Sequence, residues 1–269
     1  MNARRAFTLI ELLTVIAIIA ILAGLLLPTL ASAKGKARTV QCLNTKRQMQ
    51  IAWLQYANDH DDRLVPHGQT FPGPPRTSPQ FWWAQGTLDF SEDNPDNTNH
   101  SLLIDPQYAR LGEYAQSPSL FKCPADRSTA RMNGKSHARV RSIAMNANLG
   151  RVMDCLGNEP VWIGPITVSQ IPNPAAQFVF LDEHPDSLTG TAFWLSPAQG
   201  SLARIVSFPS GLHQRGTTLS FADGHVEAHR WLDPRTIPAV QSRNELAETD
   251  SPNNPDLAWL QQRTFFPEE

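Results

Sequence analysis

The feature that most constrains this chain is an apolar stretch close to its start. Residues 7–27 read FTLIELLTVIAIIAILAGLLL, which is 21 residues with one charged side chain, Glu11. A helix of that length spans about 30 Å, the thickness of the hydrocarbon core of a bilayer. The preceding leader carries Arg4 and Arg5, and basic residues favour the cytoplasmic side of a membrane. We therefore expect one membrane-spanning helix, with the rest of the chain outside the cytoplasm.

Glu11 sets this stretch apart from an ordinary signal peptide. A carboxylate inside a membrane costs about 2.5 kcal/mol or more, so it normally has a partner. The stretch is also longer than a typical secretory signal and lacks a clean small-x-small cleavage site. A free amino group at Phe7 would neutralise Glu11, and cleavage between Ala6 and Phe7 would create it.

The residues around this bond resemble the cleavage and methylation signal of type IV pilins and type II secretion pseudopilins. The shared pattern is a short basic leader, a small residue, Phe, an aliphatic run and Glu as the fifth mature residue. Ala6 stands where that family usually has Gly. The resemblance implies that a prepilin peptidase cleaves after Ala6 and methylates Phe7. It also implies that Glu11 pairs with the Phe7 ammonium of a neighbouring subunit in a filament.

A stem helix is expected beyond the membrane stretch. Pro28 resembles the proline that bends many pilin stems, and it should kink the helix or free backbone groups. Helical composition resumes over residues 30–58 and gives two apolar faces. One face comprises Val40, Leu43, Ile51 and Leu54, and the opposite face comprises Cys42, Met49, Trp53 and Tyr56. One face should cover the sheet of the same chain, whereas the other meets neighbouring subunits or later loops.

The remainder of the chain predicts one loop-rich α+β domain. The expected fold is pilin-like, with a long N-terminal helix packed on an antiparallel β-sheet with long loops. The patterns predict strands within 140–149, 161–168 and 176–183, and a short helix within 108–121. The segment FWWAQGTLDF fits a strand pair or a packed aromatic segment. The domain boundaries expected are a leader at 1–6, a transmembrane and stem helix at 7–57, and an extracytoplasmic domain at 58–269.

The clearest local signal is a hairpin around Asp223-Gly224. An Asp-Gly pair between alternating segments favours a two-residue type I′ turn. That turn pairs Phe221 with Val226 and Leu219 with Ala228. The apolar face made in this way should pack on the stem helix.

Several downstream residues extend the resemblance to a narrower group. Nine residues separate His213 from Asp223-Gly224, and this spacing resembles the ending of pseudopilin-like families of planctomycete and verrucomicrobial type. The segments Cys123-Pro124-x-Asp126 and Phe180-Leu181-Asp182-Glu183-His184 are similar to further landmarks of those families. These landmarks identify a family and not a chemistry.

A metal site is one interpretation of the C-terminal residues. His213 with Asp223, aided by Asp182 or Glu183 from another strand, offers a ligand set. Alternatively, His213 hydrogen-bonds the Asp223 turn and fastens the loop to the hairpin. Related pseudopilins bind Ca²⁺ in a C-terminal loop, so the resemblance adds Ca²⁺ to the ions considered, although no loop of this chain aligns with that site residue by residue.

The three cysteines leave two interpretations open. Cys123 and Cys155 pair in a disulfide if the domain is exported to an oxidising compartment. The alternative is three buried thiols, with Cys42 on the stem.

The composition and motifs argue against several functions. The sequence has no GxSxG, phosphate loop, GxGxxG or HExxH, so we expect no enzyme. A formal net charge of −2 gives no basic surface for nucleic acid. The arginines Arg131, Arg139 and Arg141 nevertheless leave a DNA-uptake pilin open.

The resemblance implies a pseudopilin-like filament subunit for type II secretion or a pilus-like function. Its location would be the bacterial cytoplasmic (inner) membrane, with the C-terminal domain in the periplasm. The implied partners are copies of itself, other pseudopilins, the prepilin peptidase, an assembly ATPase and a platform protein. The rival hypothesis is a membrane-anchored, metal-dependent binding protein or hydrolase that shares the export signal.

Overall fold

A single helix of 51 residues, α1 (Leu9–Asp59), leads into the globular part of the chain. The computed structural model describes residues 8–67, 82–153, 161–243, 246 and 248–266. At 1.5 Å per residue, α1 extends for about 75 Å. Pro28 lies inside the helix, which continues past it. Since proline has no N–H, the carbonyl of Gly24 lacks its usual helical donor there.

A polar cluster at residues 58–62 ends α1 at Asp59, one residue beyond the helical composition predicted over 30–58. The carbonyl of Ala57 accepts hydrogen bonds from the backbone N–H groups of His60 and Asp62. Asp61 and Asp62 have positive φ angles of 53° and 67°, which no continuing helix allows. The Asp62 carboxylate accepts from the N–H of Ser169 at 3.0 Å and so ties the turn to the globular part.

Eleven strands and three short helices follow among the described residues. The strands are β1 (Thr129–Met132), β2 (Lys135–Ala138), β3 (Ile143–Asn146), β4 (Arg151–Met153), β5 (Val161–Ile163), β6 (Phe178–Asp182), β7 (Ala192–Phe193), β8 (Arg204–Ile205), β9 (Gly216–Phe221), β10 (Val226–Arg230) and β11 (Thr249–Asp250). The helices are α2 (Ser101–Ile104), α3 (Gly112–Ala115) and α4 (Pro255–Gln261).

The central sheet has five strands in the order β10-β9-β6-β3-β7. Its pairs are antiparallel except β3 with β7, which is parallel. Three two-stranded sheets, β1-β2, β4-β5 and β8-β11, lie beside it. The long helix followed by a mostly antiparallel sheet confirms the predicted α+β pilin-like fold. The buried strand expected within 176–183 is β6, and every one of its residues is buried.

The hairpin β9-β10 forms, but its predicted turn and register are wrong. The loop has three residues, because Phe221 N–H donates to the His225 carbonyl at 3.0 Å and Gly224 N–H donates to the Phe221 carbonyl. Gly224 has φ of 98°, whereas Asp223 keeps a negative φ. A type I′ turn requires positive φ at both residues, so a type I turn with a glycine bulge forms instead.

The extra loop residue shifts the pairing between β9 and β10 by one position. Val226 lies opposite Ser220, and Glu227 opposite Leu219. Ser220 therefore faces α1, where its hydroxyl donates to Gln50 Oε1 at 2.9 Å. Leu219 faces the opposite side of the sheet, where it is also fully buried. The expectation that Leu219 packs on the stem is therefore wrong. The one-residue slip places Val226, and not Glu227, on the face that Ser220 presents to α1.

The structure also decides two further predictions made from the sequence. The aromatic segment that follows position 81 is a packed segment and not a strand pair, with Trp83 stacked on Phe121 at 5.7 Å between ring centres. The region predicted as one helix over 108–121 divides into α3 and a 3₁₀ turn, Pro118–Phe121. Gln116 interrupts it with a left-handed conformation, φ 56°.

Candidate functional site

The first turn of α1 holds Glu11 in a capping box. Thr8 is the N-cap residue, and its hydroxyl oxygen accepts from the Glu11 N–H at 3.3 Å. In return, Glu11 Oε2 accepts from the Thr8 N–H at 2.8 Å and from its hydroxyl at 2.7 Å. This reciprocal arrangement satisfies helix-end donors that otherwise lack partners. The carboxylate thus lies at the very start of the helix. Ala6 and Phe7, the predicted processing residues, lie outside the described residues.

The N-terminal half of α1 exposes nearly all of its large apolar side chains. They are 47% to 78% exposed: Leu9, Ile10, Leu12, Leu13, Val15, Ile16, Ile18, Ile19, Ile21, Leu22, Leu25, Leu26, Leu27 and Leu30. The most apolar 18-residue window of this helix has a mean hydropathy of 2.8, and none of it is buried within the chain. By length and composition α1 is a helix able to cross a membrane. The segment fits single-pass membrane anchoring.

The C-terminal half of α1 packs on the sheet through one continuous stripe. Its buried residues recur at helical spacing: Cys42, Thr45, Lys46, Met49, Gln50, Ala52, Trp53, Tyr56 and Ala57. This is the second of the two predicted apolar faces, and it covers the sheet. On the other face Val40 and Ile51 remain 66% and 48% exposed, so the loops that the structure describes do not cover them. A shallow groove there runs between α1 and Val226 of β10.

Beneath this stripe four potential ligand side chains converge in the interior. Cys42 comes from α1, Cys123 from the loop after the 3₁₀ turn, Asp182 from the end of β6, and His213 from the loop before β9. One ligand atom from each lies within 4.8 Å of the others. All four residues are buried, with His213 the most exposed at 7%. We call this group the Cys42 cluster.

Hydrogen bonds fix the geometry of the Cys42 cluster. The Cys42 thiol donates to Asp182 Oδ2 at 3.2 Å, and Cys123 Sγ lies 3.1 Å from His213 Nε2. The second ring nitrogen of His213 lies 3.2 Å from the hydroxyl of Thr39, one turn before Cys42 on α1. The Thr218 hydroxyl of β9 donates to Asp182 Oδ2 at 2.7 Å. Polar groups of α1, β6 and β9 thus hold each ligand in place.

A buried ion pair borders the cluster. Lys46 Nζ donates to Asp182 Oδ1 at 2.5 Å, and both side chains are fully buried. Burial alone would lower the pKa of Lys46, but Asp182 together with Cys42 and Cys123 outweighs burial, and the pKa is raised. A hydrogen bond to Cys123 and burial raise the pKa of the Cys42 thiol. The ion pair thus lies directly beside the Cys42 thiol in the interior.

The structure brings together only some of the residues predicted for a metal site. Asp182 and His213 meet in the Cys42 cluster. Asp223 does not join them, because it lies in the exposed hairpin turn and pairs with His225 Nδ1 at 2.6 Å. Glu183 follows Asp182 and points to the other side of the sheet, where it accepts from Ser187 at 2.8 Å. The alternative, that His213 hydrogen-bonds the Asp223 turn, is also wrong, since its ring contacts are with Thr39 and Cys123.

The cysteine interpretations have different outcomes. Cys42 and Cys123 are buried free thiols, next to each other in the Cys42 cluster. Cys155 lies outside the described residues, so the Cys123–Cys155 disulfide stays a prediction. The sequence reasoning assigned Cys42 to an apolar stripe and overlooked it as a ligand. A usable signal was present, because Lys46 lies one turn beyond it on the same buried face.

The arginines considered for DNA uptake do not form a surface patch. Arg139 and Arg141 are fully buried. Arg139 donates to the carbonyls of Pro185 and Leu188, both at 2.8 Å, and Arg141 donates to that of Gly190 at 2.7 Å. Burial lowers the pKa of Arg141 to about 10. Arg139 and Arg141 therefore satisfy loop carbonyls in the interior. Arg131 is exposed and lies 3.9 Å from Glu92, so the three arginines do not share one surface.

Comparison with known proteins adds one finding. No curated protein and no solved structure matches this chain. A protein-family model, the prokaryotic N-terminal methylation motif, matches residues 1–27. This match covers the basic leader, Ala6, Phe7, Glu11 and the apolar half of α1. The chain therefore begins with a prokaryotic N-terminal methylation motif of the type IV pilin kind, followed by a long apolar helix.

Proposed function

We propose that this protein is the precursor of a pseudopilin-like filament subunit. The observation that carries the proposal is the methylation motif at residues 1–27 at the start of a helix whose apolar half is unburied. In this proposal a prepilin peptidase removes residues 1–6 and methylates Phe7. Residues 7–57 then form the transmembrane and stem helix, and residues 58–269 form the domain outside the cytoplasm.

The direction of insertion follows from charge. Arg4 and Arg5 precede the apolar stretch, and positive residues are retained on the cytoplasmic side. The subunit is then held in the cytoplasmic membrane by one helix, with its C-terminal domain in the periplasm. The leader lies where a cytoplasmic-side peptidase reaches it.

Glu11 provides the register for assembly. In the single chain its carboxylate bonds to Thr8 at the first turn of α1. Cleavage creates a positive Phe7 amino group four residues away, and in a filament Glu11 of one subunit pairs with that group on its neighbour. Any other register leaves both charges unpaired in an apolar core, which is penalised strongly. The carboxylate thus selects one axial spacing between subunits.

The exposed surface of the stem supports self-association. The apolar half of α1 is not covered by any described part of the chain, and in the docked half Val40 and Ile51 remain exposed. Stems of neighbouring subunits, from this protein or from other pseudopilins, bury these surfaces. An assembly ATPase and a platform protein would supply the work of adding subunits at the base of the filament. The protein itself acts mechanically and is not proposed to be an enzyme.

The rival hypothesis of a metal-dependent hydrolase receives less support. Such an enzyme requires a metal site with an open position that substrate and water reach. The Cys42 cluster is buried on all sides by α1 and the sheet, with its ligands 0% to 7% exposed. A closed cluster of this kind does not favour catalysis.

The test uses the full chain in its native host. A photo-crosslinking residue replaces Ile18, which lies on the exposed half of α1. We expect crosslinked ladders from the wild-type background and none when Glu11→Val is added, since the charge partner of Phe7 is then lost. Thr14→Val is the matched control, because Thr14 lies one turn away on the same exposed segment, and it should leave the ladders unchanged. Equal ladders in the Glu11→Val background would contradict the proposal.

A further inference from the structure

We propose that the Cys42 cluster is a structural Zn²⁺ site that fastens the stem helix to the globular domain. The ligands are Cys42 Sγ, Cys123 Sγ, His213 Nε2 and one carboxylate oxygen of Asp182. This inference is independent of the proposed role in filaments, because it concerns how the stem and the domain are held together.

The spacing of the ligand atoms fits one tetrahedral ion. Zinc bonds of about 2.0–2.3 Å place the ligand atoms of a tetrahedral site about 3.3–3.8 Å apart. In the structure Cys42 Sγ lies 3.2 Å from Asp182 Oδ2, and Cys123 Sγ lies 3.1 Å from His213 Nε2. All four atoms fall within 4.8 Å of one another. To hold the ion, the short contacts lengthen by a few tenths of an ångström, and a pair at the 4.8 Å limit shortens by about 1 Å.

A second layer of polar groups orients these ligands. A metal-binding histidine usually bonds its other ring nitrogen to a fixed partner, and coordinating carboxylates are hydrogen-bonded in turn. Here Thr39 contacts His213 Nδ1 at 3.2 Å, which leaves Nε2 directed at Cys123. Thr218 and Lys46 both donate to Asp182, at 2.7 Å and 2.5 Å. A metal site requires such hydrogen bonds to orient its ligands, whereas buried thiols that bind no metal do not require them.

The charges balance when zinc replaces two protons. A Zn²⁺ ion held by two thiolates, the Asp182 carboxylate and a neutral His213 ring forms a complex of net charge −1, and the Lys46 ammonium beside Asp182 brings the total to zero. Binding of Zn²⁺ releases one proton from Cys42 and one from Cys123, so the ion's two positive charges meet two new thiolates. The net charge remains zero. With a carboxylate as the fourth ligand the complex carries one negative charge, and the Lys46 ammonium neutralises it.

The ligand chemistry selects the ion and its role. Two sulfur ligands suit zinc, whereas Ca²⁺ binds through oxygen alone, so this site does not match the Ca²⁺ considered from the family resemblance. Four protein ligands leave no open position, which is typical of structural zinc. The ligands come from four segments far apart in sequence, and one of them is the stem. An ion here therefore links α1 to three parts of the domain.

The experiment uses the full chain purified in detergent under reducing conditions, stripped with a chelator and then reloaded with ZnCl₂. We expect one Zn²⁺ per chain by elemental analysis, two protons released per ion in weak buffer, and a melting temperature that rises with free zinc. Co²⁺ in place of zinc should give the thiolate charge-transfer band and the intense visible bands of a tetrahedral sulfur-ligated ion.

Variants locate the site. Cys42→Ser should remove the Co²⁺ charge-transfer band contributed by that sulfur and most of the bound zinc. Thr39→Val keeps the side-chain shape at a half-buried position and should weaken zinc binding by about 10- to 100-fold. Cys155→Ser is the matched cysteine control and should bind zinc normally.

Three results would overturn the proposal. The first is wild-type protein that binds no zinc and gives no tetrahedral Co²⁺ spectrum, a readout that does not depend on any variant folding. The second is Cys155→Ser abolishing binding, which would place the thiolate ligand elsewhere. The third is protein from cells whose mass is two hydrogens lower, with Cys42 and Cys123 peptides joined until reduced, because a disulfide there would remove both thiolate ligands.

Discussion

The two halves of helix α1 differ in which side chains they bury. From Leu9 to Leu30 the helix is almost entirely apolar, and its large side chains are exposed. From Cys42 to Ala57 it contains charged and polar residues, and yet Lys46 and Gln50 are fully buried. One helix can do both only if the two halves have different surroundings. The first half requires lipid or other stems, whereas the second has its partner within the same chain.

The charged residues of the two halves also find their partners in different places. Glu11 lies at the helix start and bonds locally to Thr8, so its long-range partner has to come from outside the chain. Lys46 has its partner, Asp182, 136 residues later in the same chain. The first charge is available for assembly, and the second contributes to the fold. Mutations in the two halves should therefore have separate effects.

Truncating an apolar side chain should produce the largest difference in stability between the two halves of α1. Trp53→Ala removes a fully buried side chain from the contact between α1 and the sheet, and should lower the free energy of unfolding by about 3–5 kcal/mol. Leu22→Ala, in the exposed half, should change it by less than about 0.5 kcal/mol. Urea titration of both variants in detergent, followed by circular dichroism, measures this. Equal losses would mean that the exposed half also packs within the chain.

Removing the buried cation should have a similar or slightly smaller effect. Lys46→Met leaves the Asp182 carboxylate buried without its partner, which should cost about 3–5 kcal/mol. The control is Arg47→Met, at the next and exposed position of α1, with an expected change within about 0.5 kcal/mol. The same titration measures both. A Lys46→Met loss no larger than that of Arg47→Met would show that the ion pair does not form.

Sequence reasoning succeeded where the signal is local and failed where distant segments meet. The apolar stretch, the end of α1 and the buried strand β6 all follow from patterns within a few turns or one strand. The hairpin was located correctly, but the single loop residue that sets its register depends on the φ angle of Asp223. The Cys42 cluster joins four segments whose closeness is created by the fold, so Cys42 was assigned to packing alone.

The smallest of these effects depends on pH. Burial raises the pKa of Glu183 to about 8, from 4.5, against the opposing bond from Ser187. The folded chain therefore holds one more proton than the unfolded chain between these values, and its stability falls as the pH rises through that window. Glu183→Gln removes this loss and should be more stable than wild type by about 2–3 kcal/mol near pH 6.5, with little difference near pH 4.5.

Melting curves of wild type and Glu183→Gln at intervals between these pH values measure the effect. The control is Glu113→Gln, because Glu113 is exposed on α3 and should shift neither the melting temperature nor its pH dependence. A constant difference between Glu183→Gln and wild type across the range would mean that Glu183 is ionised throughout.

The most direct test of the account is the mass of the mature N-terminal peptide, isolated from the membranes of the native host. Cleavage after Ala6 with N-methylation gives a peptide that begins at Phe7 and carries one extra methyl group. That is the result the account predicts. A chain that still begins at Met1, or one that begins beyond Leu27, would contradict it, because Glu11 would then lack the cationic partner on which assembly depends.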